Sequence, residues 1–156
     1  MRPIKLSEPR REQVAETRAA ADRLLGRASG ENPFELREEL GKLMWEKAGI
    51  VRDGQKLAAA ISQVADLQQR AEQTATAEGR LFNLSWQQAL DLRNLLTASD
   101  LIARSALLRE ESRGAHFRSD FPAAADAHWL KNIYLRRDGD GLASWTVPVK
   151  LEKLRP

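Results

Sequence analysis

The residues most able to do chemistry lie in one short stretch, between Glu110 and Pro122. The stretch concentrates charged and polar side chains, among them Arg113, His116, Arg118 and Asp120. An arginine guanidinium group binds a carboxylate through two parallel hydrogen bonds and suits buried interfaces. Two interpretations follow. The arginines either end the preceding helix by binding its last carbonyls or nearby carboxylates, or they belong to a loop that docks onto another surface or contacts an anion.

The rest of the sequence lacks the patterns of known catalytic and cofactor sites. His116 and His128 are the only two histidines, and no carboxylate pattern beside them completes a metal-ligand set. There is no cysteine, which excludes disulfides, thiolate catalysis and cysteine-bound zinc or iron–sulfur clusters. Neither a G-x-S-x-G elbow nor a glycine-rich phosphate loop can be read. We therefore expect no catalytic, cofactor-binding or metal-binding residue within this chain.

The composition predicts a single globular domain. A length of 156 residues allows one domain with a core of its own. The 25 basic and 22 acidic residues are interspersed, so the net charge of +3 indicates a solvated helical surface rather than a nucleic-acid interface. No apolar run approaches the roughly 18 residues of a membrane helix, and the polar start does not resemble a signal peptide. We therefore expect a soluble chain without direct membrane insertion.

Three helices are predicted in the first half from apolar spacing and end signals. Asn32 and Asp53 are good N-caps for the second and third helices, because their short side chains accept from free backbone N–H groups. Gly49 suits the residue that closes the second helix. The predicted helices cover residues 9–25, 33–48 and 54 to about 78.

A fourth and longer helix is predicted to begin near Asn83 or Ser85 and to run to about residue 112. Its apolar residues occupy two faces and leave only a narrow polar stripe. Such a helix contacts several neighbours, so we expect it to be the most buried element, with Leu96 and Ile102 in the core.

Two short strands are predicted after the irregular stretch, Trp129–Leu135 and Leu142–Val149. The D-G-D-G sequence at 138–141 is typical of a hairpin turn between them. Pro148 indicates that the second strand lies at an edge or ends early, because proline cannot donate to the ladder. The residues alone thus predict a compact, mostly helical bundle followed by a small hairpin.

The irregular stretch also carries a family resemblance. Glu111–His116, followed by Arg118 and Asp120–Pro122, resembles the ESRGAH-x-R-x-DFP stretch of succinate dehydrogenase and fumarate reductase flavoprotein subunits. The similarity continues in order along about residues 31–135. It includes Glu31–Pro33, Leu36–Arg37, Leu43–Arg52, Phe82–Leu84, Ala89–Leu96 and Trp129–Lys131.

The resemblance implies an all-α fold, an antiparallel three-helix (spectrin-repeat-like) bundle with an N-terminal lead-in helix and a short C-terminal β-hairpin or extended tail. Residues 1–30 would be linker and lead-in helix, and 31–156 the C-terminal helical domain. The whole family enzyme holds FAD and interconverts succinate and fumarate, but its flavin and substrate motifs belong to earlier domains. No cofactor is therefore expected in this chain.

The resemblance also implies a structural role in a larger assembly. The chain would pack on the flavin-binding and substrate domains of its own subunit through residues 112–122. The candidate docking residues are Arg113, His116, Arg118 and Asp120. An iron–sulfur subunit is the expected partner in the parent complex, and the expected location is the cytoplasm, including the inner face of the membrane when partner subunits hold it there. No nucleic-acid partner is expected.

Two alternatives stay open. L-aspartate oxidase shares much of this helical region, but its loop tends to read RGLH without a following arginine, so Ala115 and Arg118 favour the succinate/fumarate branch. The chain could also be a stand-alone helical interaction module that binds another protein. Family subunits are several times longer than 156 residues. We expect either a domain cut from such a subunit or the product of a short gene that encodes the domain alone.

Overall fold

A computed structural model of the chain describes residues 10–139 and 141–150. The first part of the predicted linker and the last six positions of the predicted domain lie outside the described residues. The described part is mostly helical and carries short strands towards its C-terminal end. Its elements in chain order are α1 (Arg11–Asp22), α2 (Pro33–Ala48), β1 (Val51–Arg52), α3 (Gly54–Ala71), α4 (Leu84–Leu108), β2 (Phe117–Arg118), α5 (Asp126–Trp129), β3 (Lys131–Asp138) and β4 (Gly141–Pro148).

The lead-in helix α1 contributes no buried residue and is attached through its C-terminal end. The indole Nε1 of Trp86 donates to the carbonyl of Ala21 at 2.9 Å, and Leu24 just beyond the helix is 2 % exposed. The helix ends at Asp22, three residues earlier than predicted. Leu24 and Leu25 bond to carbonyls three residues back, which tightens the last turn before Gly26, a residue with φ 73°.

Helices α2 and α3 begin where the capping residues predict. The Asn32 side chain accepts from the Phe34 amide at 3.0 Å, and that of Asp53 accepts from the Lys56 amide at 2.8 Å. Helix α3 ends at Ala71, however, well before the predicted 78. The chain beyond it runs back beside residues 27–31, where the Ala75 amide donates to the carbonyl of Glu31 at 2.8 Å. Backbone hydrogen bonds to residues 27–31 therefore take the place of the last helical turns that the sequence predicted for α3.

The core is formed by residues of α2, α3 and α4, and α4 contributes two residues of the main cluster, against three each from α2 and α3. The buried cluster consists of Leu36, Leu40, Leu43, Val64, Leu67, Ala71, Leu92 and Leu96. Leu96 is 1 % exposed, as predicted, whereas Ile102 is 51 % exposed, so its predicted core position is wrong. The wide apolar face of α4 is not fully covered: Ala103 and Ala106 are buried, whereas Ile102 on the same face borders an open groove.

Two sheets of two strands complete the part of the chain that the structure describes. The predicted hairpin is confirmed, with β3 and β4 antiparallel from the pair Lys131 and Pro148 to the pair Asp138 and Gly141. The second sheet was not predicted: β1 and β2 pair in parallel over two residues each. Strands this short have no periodicity to detect. This pairing nevertheless positions residues 112–122, because it holds the segment after α4 against the connection between α2 and α3.

Candidate docking site

Residues 112–122, called the 112–122 loop below, form a tied turn directly after α4. The Ser112 hydroxyl accepts from the Arg118 amide at 2.9 Å and donates to the Phe121 carbonyl at 2.8 Å. At the tip, the Arg113 and His116 backbones bond to each other at 2.8 and 3.0 Å around Gly114. Gly114 has φ 56°, a left-handed conformation that favours glycine. Local hydrogen bonds therefore fix the shape of the loop.

Arg118 anchors the loop from inside, with a side chain that is only 2 % exposed. Its Nη1 donates to the carbonyls of Ala106, Leu107 and Arg109 at 2.9, 3.0 and 3.0 Å. These carbonyls belong to the last turn of α4, where no intrahelical donor remains. The placement of Arg118 matches the interpretation in which an arginine ends the preceding helix.

Asp120 connects the end of α4 to the start of α3. Its carboxylate accepts from Nε and Nη2 of Arg118, both at 2.7 Å, and from the Gly54 amide at 2.9 Å. The hydrogen bond from Arg118 holds the pKa of Asp120 well below its usual range. A carboxylate at the N-terminus of one helix and a guanidinium at the C-terminus of another both complement the helix dipoles. The pair therefore positions three elements: α3, α4 and β2.

His116 is half-buried and held in one tautomer. Its Nδ1 lies 2.9 Å from Nη1 of Arg52, and its Nε2 lies 3.3 Å from the carbonyl of Arg109. Arginine can only donate, so Nδ1 is the acceptor and the proton resides on Nε2. Burial is the main reason that the pKa of His116 is lowered, and the nearby cations Arg52, Arg118 and Arg109 add to it. These surroundings therefore favour the neutral imidazole.

Arg113 lies at the outer side of the loop, paired with Glu111 and Asp126. Glu111 is fully buried and accepts from Arg113 at 2.9 and 3.0 Å, from Arg109 at 2.5 Å and from the Ala125 amide at 2.9 Å. The hydrogen bond from Arg113 is the main cause that lowers the pKa of Glu111 to about 2. Arg113 itself has its pKa raised by Glu111 and then by Asp126.

Sequence reasoning missed two residues of this site, Glu111 and Arg52. Glu111 stands two positions from an arginine on either side, a spacing that could have indicated an ion-pair network. Arg52 lies 64 positions from His116, and no local signal connects them. It donates through Nε to the carbonyls of Ala48 and Gly49 at 3.0 and 2.8 Å, so it also closes α2.

The structure therefore brings all four predicted residues into one network, in two layers. Arg118 and Asp120 hold the loop to the helix ends, and Arg113 and His116 lie nearer the surface. Within the described residues, no group of three His, Asp or Glu side chains is placed to hold a metal ion. The arrangement fixes charges in place and leaves a shaped, partly charged surface, which suits binding. A docking contact by the four residues stays a prediction.

Comparison with known proteins identifies the class to which this helical fold and loop belong. The model of the family described as fumarate reductase flavoprotein C-term matches residues 37–156. The fold and the loop thus define a helical domain of a flavoprotein subunit. The chain belongs to the family of fumarate reductase and succinate dehydrogenase flavoprotein C-terminal domains, as the ESRGAH motif predicted.

Individual relatives agree with this assignment. A fumarate reductase (CoM/CoB) subunit from Methanothermobacter marburgensis is 40 % identical over 105 residues, which is 67 % of this chain and 19 % of that protein. The succinate dehydrogenase flavoprotein subunit of Coxiella burnetii is 41 % identical over 110 residues, again 19 % of its length. A chloroplastic L-aspartate oxidase from Arabidopsis thaliana is 36 % identical over 118 residues, 72 % of this chain and 17 % of that protein. The chain thus spans about a fifth of these relatives.

A solved structure supports the same fold. Quinol fumarate reductase from E. coli superposes with a TM-score of 0.78 at 29 % identity, over 93 % of this chain and 26 % of that one. Among the residues that the structure describes here, no helix has the length and apolar character needed to cross a bilayer.

Proposed function

We propose that this chain is the structural C-terminal domain of an FAD-dependent subunit whose whole enzyme interconverts succinate and fumarate. Its role is to pack on the flavin-binding and substrate domains of that subunit, and it contributes no catalytic residue. The observation that carries the proposal is the 112–122 loop: its charged groups are already engaged with one another and with helix ends. A loop held so firmly can present a fixed surface to a neighbouring domain at little entropic cost.

The docking surface in this proposal has a supporting layer and a contacting layer. Arg118 is too buried to reach a partner, so it and Asp120 act by holding the loop in place. Arg113, with a side chain 38 % exposed, and the half-buried His116 lie at the contacting layer. Phe117, which is 40 % exposed, adds apolar surface beside them.

The described residues do not fit FAD, so we assign the flavin to the earlier domains. Helix α3 follows strand β1 directly, which is the order seen in phosphate-binding turns. The N-terminus of α3 is filled by two carboxylates of this chain, however, because Asp53 and Asp120 accept its first amides. The negative charges of these two carboxylates would repel a flavin phosphate at this helix end.

The proposal also covers the arrangement of the three long helices, the bounds of the domain and the complex in which the parent subunit works. We infer an antiparallel three-helix arrangement of α2, α3 and α4, supported by their shared core and by the short connection between α2 and α3. Residues 31–156 would form the domain, with 1–30 as linker and lead-in. The parent flavoprotein would work beside the inner face of the membrane together with an iron–sulfur subunit, without membrane insertion by this chain.

A flavin absorbance scan and a succinate/fumarate assay test the proposal. The purified chain should show no flavin and no turnover by itself. Mixed with the flavin- and substrate-binding part of a family subunit, such as the one from Coxiella burnetii, it should bind and restore turnover. Bound flavin or turnover in the chain alone would overturn the structural role, as would a failure to associate.

L-aspartate oxidase remains the second candidate for the parent enzyme, supported by the Arabidopsis relative at 36 % identity. We favour the succinate/fumarate branch because Arg118, the arginine that the oxidase loop tends to lack, is the anchor of this loop. The same mixing experiment with the corresponding part of the Arabidopsis oxidase and L-aspartate as substrate would distinguish them. Restored oxidation of L-aspartate, without restored succinate/fumarate turnover in the other mixture, would reverse our preference.

A further inference from the structure

An open groove of about 430 Å³ lies between α4, the 112–122 loop and the hairpin. Its polar wall is made by Arg52, Arg109 and His116, and its apolar floor includes Leu101, Ile102 and Ile133. No acidic side chain of the described residues lines it. Arg109 is paired with Glu111, so the guanidinium group of Arg52 gives the groove its net positive charge.

Arg52 is unlike the other arginines near this groove, because its partners are all neutral. Arg109 pairs with Glu111, and Arg118 pairs with Asp120. Arg52 donates only to two backbone carbonyls and to the imidazole of His116, and no carboxylate of the described residues lies within 4.0 Å of it. Burial lowers the pKa of Arg52 without an opposing carboxylate. A half-buried cation of this kind favours the approach of an anion.

The floor of the groove adds apolar surface that the fold leaves uncovered. Ile102 is 51 % exposed, although its neighbour Ala103 on α4 is completely buried. Ile133 of β3 faces the same space. Exposed aliphatic side chains rimmed by charge are typical of a protein-binding surface.

We propose that a carboxylate side chain from the remainder of a flavoprotein subunit docks in this groove, paired with Arg52 and flanked by contacts to Ile102 and Ile133. The inference rests on the proposed function, in which most of the subunit lies outside these residues. The occupant is supported by two observations. The groove is positive and has no acidic residue in its described lining, and the chain covers only 26 % of the superposed fumarate reductase chain and 19 % of its bacterial relative.

The first test removes the cation. The dissociation constant is measured by calorimetry between this chain and the Coxiella burnetii flavoprotein subunit that lacks the region matching residues 37–156. Arg52→Gln should weaken binding by about tenfold or more, because a desolvated charge pair loses one partner. Arg18→Gln, an exposed arginine of α1, is the matched control and should bind like the unmodified chain.

A second variant blocks the groove without touching Arg52. Ile102→Glu places a carboxylate of the chain itself beside the guanidinium group, so it should also weaken binding by about tenfold. Leu84→Glu is its control, an exposed residue of the same helix that is 69 % accessible and about 27 Å away along the axis. Thermal melting checks folding, and Ile102→Glu decides the outcome if Arg52→Gln unfolds through its lost contacts to α2.

Each outcome decides the inference. Weak binding by both groove variants with normal binding by both controls supports it. Tight binding by Ile102→Glu, or by Arg52→Gln when melting shows that it is folded, overturns it and leaves the proposed function standing, because the subunit would then dock elsewhere. No binding by the unmodified chain overturns the proposed function and the docking inference together.

Discussion

Glu111 is the residue on which the charges at the end of α4 converge. It is fully buried, yet two guanidinium groups and one backbone amide satisfy its oxygens. The same two arginines also contact other parts of the chain. Arg109 donates hydrogen bonds to the carbonyls of Trp129 and Lys131 at 3.1 and 2.6 Å, and Arg113 forms an ion pair with Asp126. A single carboxylate therefore connects α4, the 112–122 loop and the start of the hairpin.

Replacing this carboxylate should destabilise the chain strongly. Glu111→Gln keeps the shape but leaves Arg109 without its charge partner and Arg113 with Asp126 alone, so the free energy of unfolding should fall by about 2–3 kcal/mol. Urea melts followed by circular dichroism measure the difference. Glu38→Gln, which breaks an exposed helix pair with Lys42, should produce no measurable change. Equal effects of the two changes would contradict the central position of Glu111.

The contribution of Glu111 should also depend on pH. Its pKa is about 2 in the folded chain, against an ordinary value of 4.5, so the unfolded chain binds the proton more readily. The stabilisation is therefore complete above pH 4.5 and is lost as the pH falls towards 2. The difference in unfolding free energy between the unmodified chain and Glu111→Gln should shrink over that range. A constant difference would contradict the assigned pKa.

His116 gives a separate test at the residue scale. Burial, with cations from β1, β2 and the end of α4 around it, lowers its pKa below 6.5. A lowered histidine pKa stabilises the fold above pH 6.5, and this stabilisation is lost as the pH falls through the folded-state value. A nitrogen NMR titration should show a pKa below 6.5 and the proton on Nε2. A pKa above 6.5, or a proton on Nδ1, would contradict the contact with Arg52.

At the scale of elements, the ion pair of Arg118 and Asp120 joins the C-terminal end of α4 to the N-terminal end of α3. Arg118→Met should lower the free energy of unfolding by about 3 kcal/mol or more, since three helix carbonyls and one carboxylate lose their donor. Arg104→Met removes the partly exposed pair with Asp100 within α4 and should cost less than about 1 kcal/mol. Chemical denaturation compares the two variants, and a small loss for Arg118→Met would contradict its role as an anchor.

Leu96 and Ile102 of α4 differ in exposure, so truncating each side chain should have a different effect on stability. Leu96→Ala should cost about 2–5 kcal/mol, because it leaves a cavity in the shared core. Ile102→Ala should cost less than about 1 kcal/mol, because the side chain already faces the groove. Denaturant melts of the two variants measure both values. Comparable losses would place Ile102 in the core after all.

The sequence predicted helix starts and the hairpin well, because these depend on interactions between residues close together in the chain. Asn32 and Asp53 cap their helices because a short side chain meets its own helix start, and the D-G-D-G turn joins two strands of adjacent sequence. The end of α3 and the pairing of β1 with β2 depend on segments far apart in the chain. Ile102 shares an apolar face of α4 with Ala103 and Ala106, so helical periodicity likewise gave no sign that it alone of the three would be exposed.

For the whole molecule, the family resemblance located the candidate site, and distant contacts determined what each residue does. The motif identified Arg113, His116, Arg118 and Asp120, and the fold brings them together. Their division into buried anchors and surface groups could not be predicted, because it depends on carbonyls at the end of α4 and on the amide of Gly54. Arg52 was missed for the same reason.

Packing of the 112–122 loop on the flavin- and substrate-binding domains would slow hydrogen exchange of its backbone amides. The exchange is followed by mass spectrometry with and without the remainder of a family subunit. Peptides that cover residues 112–122 should then exchange more slowly in the mixture, while those from α1 should not change. Unchanged exchange of the 112–122 loop in a mixture that has regained succinate/fumarate turnover would show that the loop does not pack on those domains.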